Sequence, residues 1–281
     1  MAHVLAVANQ KGGVAKTTTT HTLGVALARA GQRVLLVDLD PQACLTFSLG
    51  IDPDGLAVSV HDVLTGRTPA EEALVESEPV TVLPARIDLA GAEQLLLTRT
   101  GREHMLARAL APHADEFDFV LVDCPPTLGV LTVNALTAAN GVVIPLQCEA
   151  LSHRGVAQLL ETIHDVREYT NPGLEVRGIV ATMFDSRTRH SREVIDDVRE
   201  RFGLTVFDPP IPKSVRFAEA PSFGRCIIEH APNSPGARAY EAIAQQLLGE
   251  KVIDLRVEES VEHNPAVAVD DLADDERVVA D

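Results

Sequence analysis

Short runs of Val, Ile and Leu recur along the chain and limit its fold more than any other feature. They read VLAVAN (4–9), RVLLVDLD (33–40), FDFVLVDCPP (117–126), NGVVIPLQ (140–147), VRGIVATMFD (176–185) and LTVFDPPIP (204–212). Strands that are apolar at nearly every position are buried on both faces, which calls for a mostly parallel sheet with helices on either side. A weaker run, PVTVLPA (79–85), adds a further strand. Between the runs lie segments of helical character. Residues 16–30 carry Leu23, Leu27 and Ala30 on one face and stop at Gly31. Residues 152–169, 191–202 and 235–248 follow the same pattern, with Ser191 as an N-cap and Pro235 in a first turn. No internal repeat or linker interrupts residues 1–249, so they read as one α/β domain.

Between the first strand and the first helix stands VANQKGGVAKTTTT (7–20). A phosphate-binding loop occupies this context, because backbone N–H groups and a helix N-terminus there face an anion. Gly12, Gly13, Val14, Ala15, Lys16, Thr17 and Thr18 form the expected cradle. Lys16 reaches the β- and γ-phosphates, and the Thr17 hydroxyl binds Mg²⁺. Glycine at 12 and 13 lets the backbone approach without a Cβ in the way. Yet Gln10 and Ala15 stand where a standard loop has its glycines, and Lys11 is an additional cation.

Two acidic strand ends accompany the loop. VDLDPQ (37–42) places Asp38 and Asp40 two apart on an extended chain, pointing the same way. Asp40 is then expected to orient a water and Asp38 to support the Mg²⁺ shell. VLVDCPP (120–126) ends in Asp123, which matches the acid that holds the Mg²⁺ hydration shell in phosphate-loop enzymes.

Hydrophobic residues form 46% of the 281, enough for a sizeable core and too many for wholesale disorder. No run approaches the ~18 apolar residues of a membrane span, and the first residues lack the apolar core of a signal peptide. A cytoplasmic protein is expected. Net charge is −17, against a protein that coats nucleic acid with its whole surface. Residues 250–281 hold 11 acids and 3 bases and are expected to form a disordered acidic tail. Only four lysines exist, and two of them are Lys11 and Lys16. Cys44, Cys124, Cys148 and Cys226 form no C-x-x-C pair and read as buried free thiols rather than a metal site. The ten histidines show no ligand spacing.

KGGVAKTT, DLDPQ and VDCPP together resemble the deviant Walker A signatures of the ParA/MinD group of P-loop ATPases. FDSRT (184–188) and IPKSVRFAEAPSFG (211–224) are similar to segments of its ParA/Soj partition branch. The resemblance covers about residues 3–249 and implies a P-loop NTPase fold, Mg-ATP as cofactor and hydrolysis to ADP and phosphate. It implies a homodimer formed on ATP binding, in which Lys11 reaches the partner's phosphates, so that Lys11, Lys16 and Asp40 are catalytic. It further implies nonspecific double-stranded DNA and a ParB-type centromere-binding protein as partners, hence a nucleoid-associated protein. The family has glycine at position 15, where a methyl is tolerated only if φ is negative.

For DNA, the resemblance singles out Arg187 and Arg216, with Arg189, Arg192, Lys213 and Arg225 as additions. Arginines in loops and at helix starts grip phosphates without reading bases. Arg199 and Arg201 instead read as partners of nearby acids on a solvated helix face. Around IPKSV (211–215), Pro210 and Pro212 are expected beside the adenine. A slow-turnover nucleotide switch that positions another cargo or recruits a partner is an alternative reading. A MinD-like membrane-positioning ATPase needs a basic amphipathic C-terminus, and this one is acidic. An iron–sulfur reductase or a tyrosine kinase on the same scaffold lacks its cysteine or tyrosine setting.

Overall fold

A computed structural model describes residues 2–149 and 152–249. The acidic tail expected at 250–281 lies outside them. Seven strands form one sheet in the order β3-β4-β2-β5-β1-β6-β7. They are β1 (His3–Val7), β2 (Val34–Asp38), β3 (Val75–Ser77), β4 (Val80–Leu83), β5 (Phe119–Asp123), β6 (Gly141–Gln147) and β7 (Glu175–Thr182). Every pairing is parallel except β3 with β4, an antiparallel edge hairpin. The apolar runs give the six parallel strands; β3, short and half-exposed, has no run of its own.

The helices are α1 (Lys16–Arg29), α2 (Cys44–Ser48), α3 (Val60–Leu64), α4 (Leu89–Leu97), α5 (Met105–Leu110), α6 (Val130–Ala138), α7 (Ser152–Tyr169), α8 (Arg189–Phe202), α9 (Arg216–Glu219), α10 (Ile227–His230) and α11 (Pro235–Gly249). The period-2 alternation along each strand divides the core. Ala6, Leu35, Val37, Val120, Val122 and Ile144 pack against α4–α7 on one face. Leu5, Val34, Leu36, Leu121 and Val143 pack against α1, α10 and α11 on the other, with Leu23, Leu27, Ile227 and the fully buried Tyr240 among their partners. The continuous apolar strands are thus covered on both faces.

Two details depart from expectation. Residues 204–212 form no strand. Val206 and Pro212 make isolated parallel bridges to Ile179 and Phe184. Pro209, Pro210 and Pro212 have no N–H to extend that ladder. The first helix of the basic segment, α8, begins at Arg189 rather than Ser191. Its N-cap is Thr188, whose hydroxyl accepts from the Ser191 N–H.

The site is positioned by register. Val7 pairs with Asp123 and Asp123 with Asp38, so β1, β5 and β2 end at one level. Chain crossing between these neighbours opens a crevice beyond their C-terminal ends, where ligands bind in open α/β sheets.

Candidate functional site

Residues 8–15 leave β1 and lead into α1, as expected of the cradle. Asn9, 2% exposed, fixes its start: its amide donates to the Pro145 carbonyl at 2.8 Å, and its Oδ1 accepts the Lys11 N–H at 3.0 Å. Gly155 on α7 makes this possible, because a Cβ there would lie 3.0 Å from that Oδ1. Thr182, at the end of β7, donates to the Val14 carbonyl at 3.1 Å. Neither Asn9 nor Thr182 stands out in the sequence, since each acts on backbone brought to it by the fold.

The two lysines are sorted by position. Lys16 is buried, and its Nζ donates to the Lys11 carbonyl at 3.2 Å, inside the loop. Burial lowers its pKa, opposed by the nearby Asp123, Cys124 and Asp40. The Lys11 side chain is 40% exposed and extends away to Glu149, 3.6 Å from its carboxylate.

The carboxylates form a crowded set. Asp123 is fully buried and accepts from the Thr17 hydroxyl at 2.7 Å and the Thr20 hydroxyl at 3.4 Å. Asp38 is equally buried, and both its oxygens are engaged: one by the Thr46 N–H and hydroxyl at 2.9 and 2.7 Å, the other by the Asp40 N–H at 3.1 Å. Asp38 therefore braces the turn that carries Asp40. Asp40 accepts the Gln42 N–H at 2.9 Å and is partly exposed toward the crevice. Desolvation pushes Asp38 up to about 6 and Asp123 well above the carboxylate range, each also raised by its acidic neighbours. Hard oxygen donors at Thr17 and Asp123 beside an ammonium are the ligand chemistry Mg²⁺ takes.

A pH dependence follows. Both carboxyls hold protons more firmly folded than unfolded, so their stabilising contribution is full below the ordinary carboxylate range and is lost as pH rises, for Asp38 through about 6. Asp123→Asn removes one buried charge and its repulsion of Asp38. We expect the metal-free variant to be more stable by ~1–3 kcal/mol at pH 7.5, with a smaller gain at pH 5, while turnover is lost. Urea melts at the two pH values measure this. An equal gain at both, or a loss at both, would contradict the assignment.

Ala15 is the N-cap of α1 at φ +70, in the left-handed region. Gly13 lies at +74. The condition under which a methyl would be tolerated, negative φ, is not met; the Thr19 N–H bonded to the Ala15 carbonyl at 2.9 Å holds the residue there. For alanine this conformation costs ~1 kcal/mol. Ala15→Gly should raise the stability of the nucleotide-free protein by ~0.5–1 kcal/mol in denaturant melts, since relief of strain exceeds the added freedom of the unfolded chain. Unchanged or reduced stability would mean that the methyl's contacts outweigh the strain.

Beside the loop is a cavity of about 360 Å³ lined by Gly13, Ala15, Thr18, Met183, Phe217 and Tyr240, among others. It is of a size for a nucleoside. Pro212 lines it; Pro210 does not, and Ile211 takes its place. Met183, also at positive φ, and Tyr240, whose hydroxyl lies 2.9 Å from the Thr19 hydroxyl, come from elements that no motif marks.

The basic residues divide. Arg187 is held by Asp185 in a two-point contact of 2.9 and 2.8 Å, which lowers the Asp185 carboxyl to about 2. Arg189 pairs with Glu193 at 2.8 Å, and Arg192 donates to the Ser186 carbonyl. Arg199 and Arg201 pair with Asp196 and Asp197, as their sequence positions suggest. Lys213, Arg216 and Arg225 are exposed and make no ion pair with the described residues. The Phe184–Pro212 bridge, with the Lys213 N–H on the Phe184 carbonyl at 3.2 Å, brings the 185–189 turn beside the 213–216 turn. Arg225 lies instead on a second cavity with Gln42 and Phe47. Among the thiols, Cys44 is exposed and the other three are buried, a correction for one of the four.

A phosphate-type loop between β1 and α1, with acids ending two neighbouring parallel strands, defines a P-loop nucleotide-binding ATPase. The profile of the AAA domain family matches residues 2–176. The chromosome partitioning protein ParA of Caulobacter vibrioides is 46% identical over 249 residues, 87% of this chain and 93% of that one. The sporulation initiation inhibitor Soj of Bacillus subtilis is 43% identical, over 88% of this chain and 98% of its own. A crystal structure from Mycobacterium smegmatis, named as a cobyrinic acid a,c-diamide synthase with bound ADP and magnesium, is 56% identical with a TM-score of 0.80, covering 88% of this chain and 94% of that one. The chain belongs to the ParA/Soj family of P-loop ATPases.

Proposed function

We propose that this chain is a Mg-ATP-dependent partition ATPase that pairs on ATP, rides nonspecific DNA and is released by hydrolysis, with a ParB-type protein as its stimulating partner. The observation that carries this reading is the separation of the two lysines. Lys16 is turned into its own loop, while Lys11 holds its ammonium outside, part-exposed at 3.6 Å from Glu149. A cation outside the loop serves a phosphate only when a second subunit brings one, which makes turnover conditional on pairing.

Mg²⁺ bound with the nucleotide would neutralise developing charge on the phosphates. The chain's own part is to bind and orient. Gly12–Thr18 present N–H groups to the phosphates, Thr17 and Asp123 offer the metal's oxygen donors, and Asp40 accepts the proton side of an attacking water. The cavity at Pro212 takes the nucleoside.

For DNA, Lys213 and Arg216 rank first, because they are exposed and unpaired. Arg187, Arg189 and Arg192 must first leave protein partners, so the rank order expected from sequence is changed. The test is binding of random-sequence duplex DNA with ATP, ADP or no nucleotide across salt. We expect ATP-only binding, absent in Lys16→Ala, and an Arg216→Ala variant that lowers the salt slope by about 1 per subunit. No DNA binding while ATP still binds would sink this reading and favour a partner-recruiting or MinD-like positioning switch. It would also leave room for the different chemistry in the M. smegmatis protein's name.

The strained Ala15 favours one second reading, a slow switch whose ATP serves mainly to assemble a dimer. ATPase rates with and without DNA and the partner protein separate the two. Stimulation supports the partition cycle; a uniformly slow rate supports the switch.

A further inference from the structure

Three side chains unused by the nucleotide cleft converge one helical turn beyond Thr17. His21 lies on the same α1 face, four residues on. Cys226 is the N-cap of α10, and Glu229 is its third residue. One ligating atom from each lies within 4.8 Å of the other two. His21 and Cys226 are 3% and 4% exposed, and both line the second cavity, of about 500 Å³.

The surroundings prepare the imidazole. His21 Nδ1 is 3.0 Å from the Ser48 Oγ, which is itself 2.8 Å from the Leu45 carbonyl oxygen. A serine hydroxyl has one proton. Given to Leu45, it leaves Nδ1–H to donate to Ser48, and Nε2 with a free lone pair. This is how metal-binding histidines are oriented, by a hydrogen bond from the other ring nitrogen. Glu229 is likewise held, since its Oε2 accepts the Cys226 N–H at 3.0 Å.

We propose that His21, Cys226 and Glu229 bind a divalent cation of borderline softness, Zn²⁺ above all, with the fourth position open to the cavity that His21 and Cys226 share with Thr17. Nitrogen and sulfur donors disfavour Mg²⁺ and suit Zn²⁺, so the site is chemically distinct from the phosphate-bound ion. Ligand atoms around tetrahedral zinc lie about 3.3–3.8 Å apart, so the three side chains draw in by about an ångström. Binding forms a Cys226 S–metal bond and releases the thiol proton to water, with no change in oxidation state. Three protein ligands and one open position describe a site that can take an exogenous ligand. Its effect is to tie α1, the helix of Thr17, to α10.

The experiment uses the full chain in excess Mg²⁺. Co²⁺ is added as a spectroscopic probe, then displaced by Zn²⁺ against a chromophoric chelator, with proton release followed by a pH indicator. We expect a thiolate-to-Co²⁺ charge-transfer band, tetrahedral d–d bands and about one proton per metal. Cys226→Ser should lose the charge-transfer band. Glu229→Gln, which keeps an acceptor for the Cys226 N–H, should weaken Zn²⁺ by about tenfold or more, and Ser48→Ala by about tenfold. Cys44→Ser should change nothing. No charge-transfer band in the wild-type protein, a band that survives Cys226→Ser, or one that disappears in Cys44→Ser would each overturn the proposal. The wild-type spectrum together with the exposed Cys44→Ser variant decides the matter even if a buried substitution fails to fold.

Discussion

Lys16→Ala should lower single-turnover ATP hydrolysis by about 10²–10³-fold with the fold intact. Lys16 is the one ammonium buried within the loop, 3.2 Å from the Lys11 carbonyl and near Asp123 and Asp40. Desolvation is the largest influence on it, and a charge held in so dry a place acts on phosphate oxygens far more strongly than one in water. Its loss also leaves the buried Asp123 without the compensating ammonium beside it. The metal-free variant should therefore lose stability as pH rises from 5 to 7.5 more steeply than the wild-type protein. Phosphate release and a fluorescent nucleotide together separate chemistry from binding. A rate within about fivefold of wild type would remove Lys16 from the catalytic assignment.

Gly224→Ala should destabilise the protein by about 3 kcal/mol. Gly224 stands at φ +62, and an added Cβ would lie 2.9 Å from the Gly50 Cα and 3.2 Å from its nitrogen. Both contacts are backbone, so no side chain can rotate away. Gly203, at the same φ of +62, and Gly31, at +88, meet nothing within 4 Å. Gly203→Ala and Gly31→Ala thus measure the conformational cost alone, ~1 kcal/mol. The excess at Gly224 measures the crossing of two backbones, and at this chain length the total corresponds to a fall of about 6–12 °C in melting temperature. Equal losses at all three positions would mean that the chains do not meet as closely as described.

Much of the fold was legible because sheet burial leaves a direct mark. Val34–Asp38 and Phe119–Asp123 are apolar up to a terminal acid, which gives strand, end and function at once. The prolines at 209, 210 and 212 were visible too, but the apolar residues around them concealed their effect on pairing. Asn9 and Thr182 were not legible, because a lone amide or hydroxyl signals nothing until β6 and the Val14 carbonyl are beside it. The pairing of Arg187 with Asp185 was equally hidden, since an exposed arginine and a neighbouring acid read alike with or without contact. The His21, Cys226 and Glu229 cluster lay furthest from view. Ligand-spacing rules detect metal sites built within one segment, and this one joins the first helix to the tenth.

Tyr240 closes the 360 Å³ cavity beside the loop from α11 and holds Thr19 on α1 by a 2.9 Å contact. Thr182, Met183, Ile211, Pro212 and Phe217, which complete the wall, also come late in the chain. A ribosome therefore finishes the phosphate loop long before the rest of the pocket exists. The nascent protein cannot hold ATP with its mature grip until Tyr240 has been made and folded onto α1.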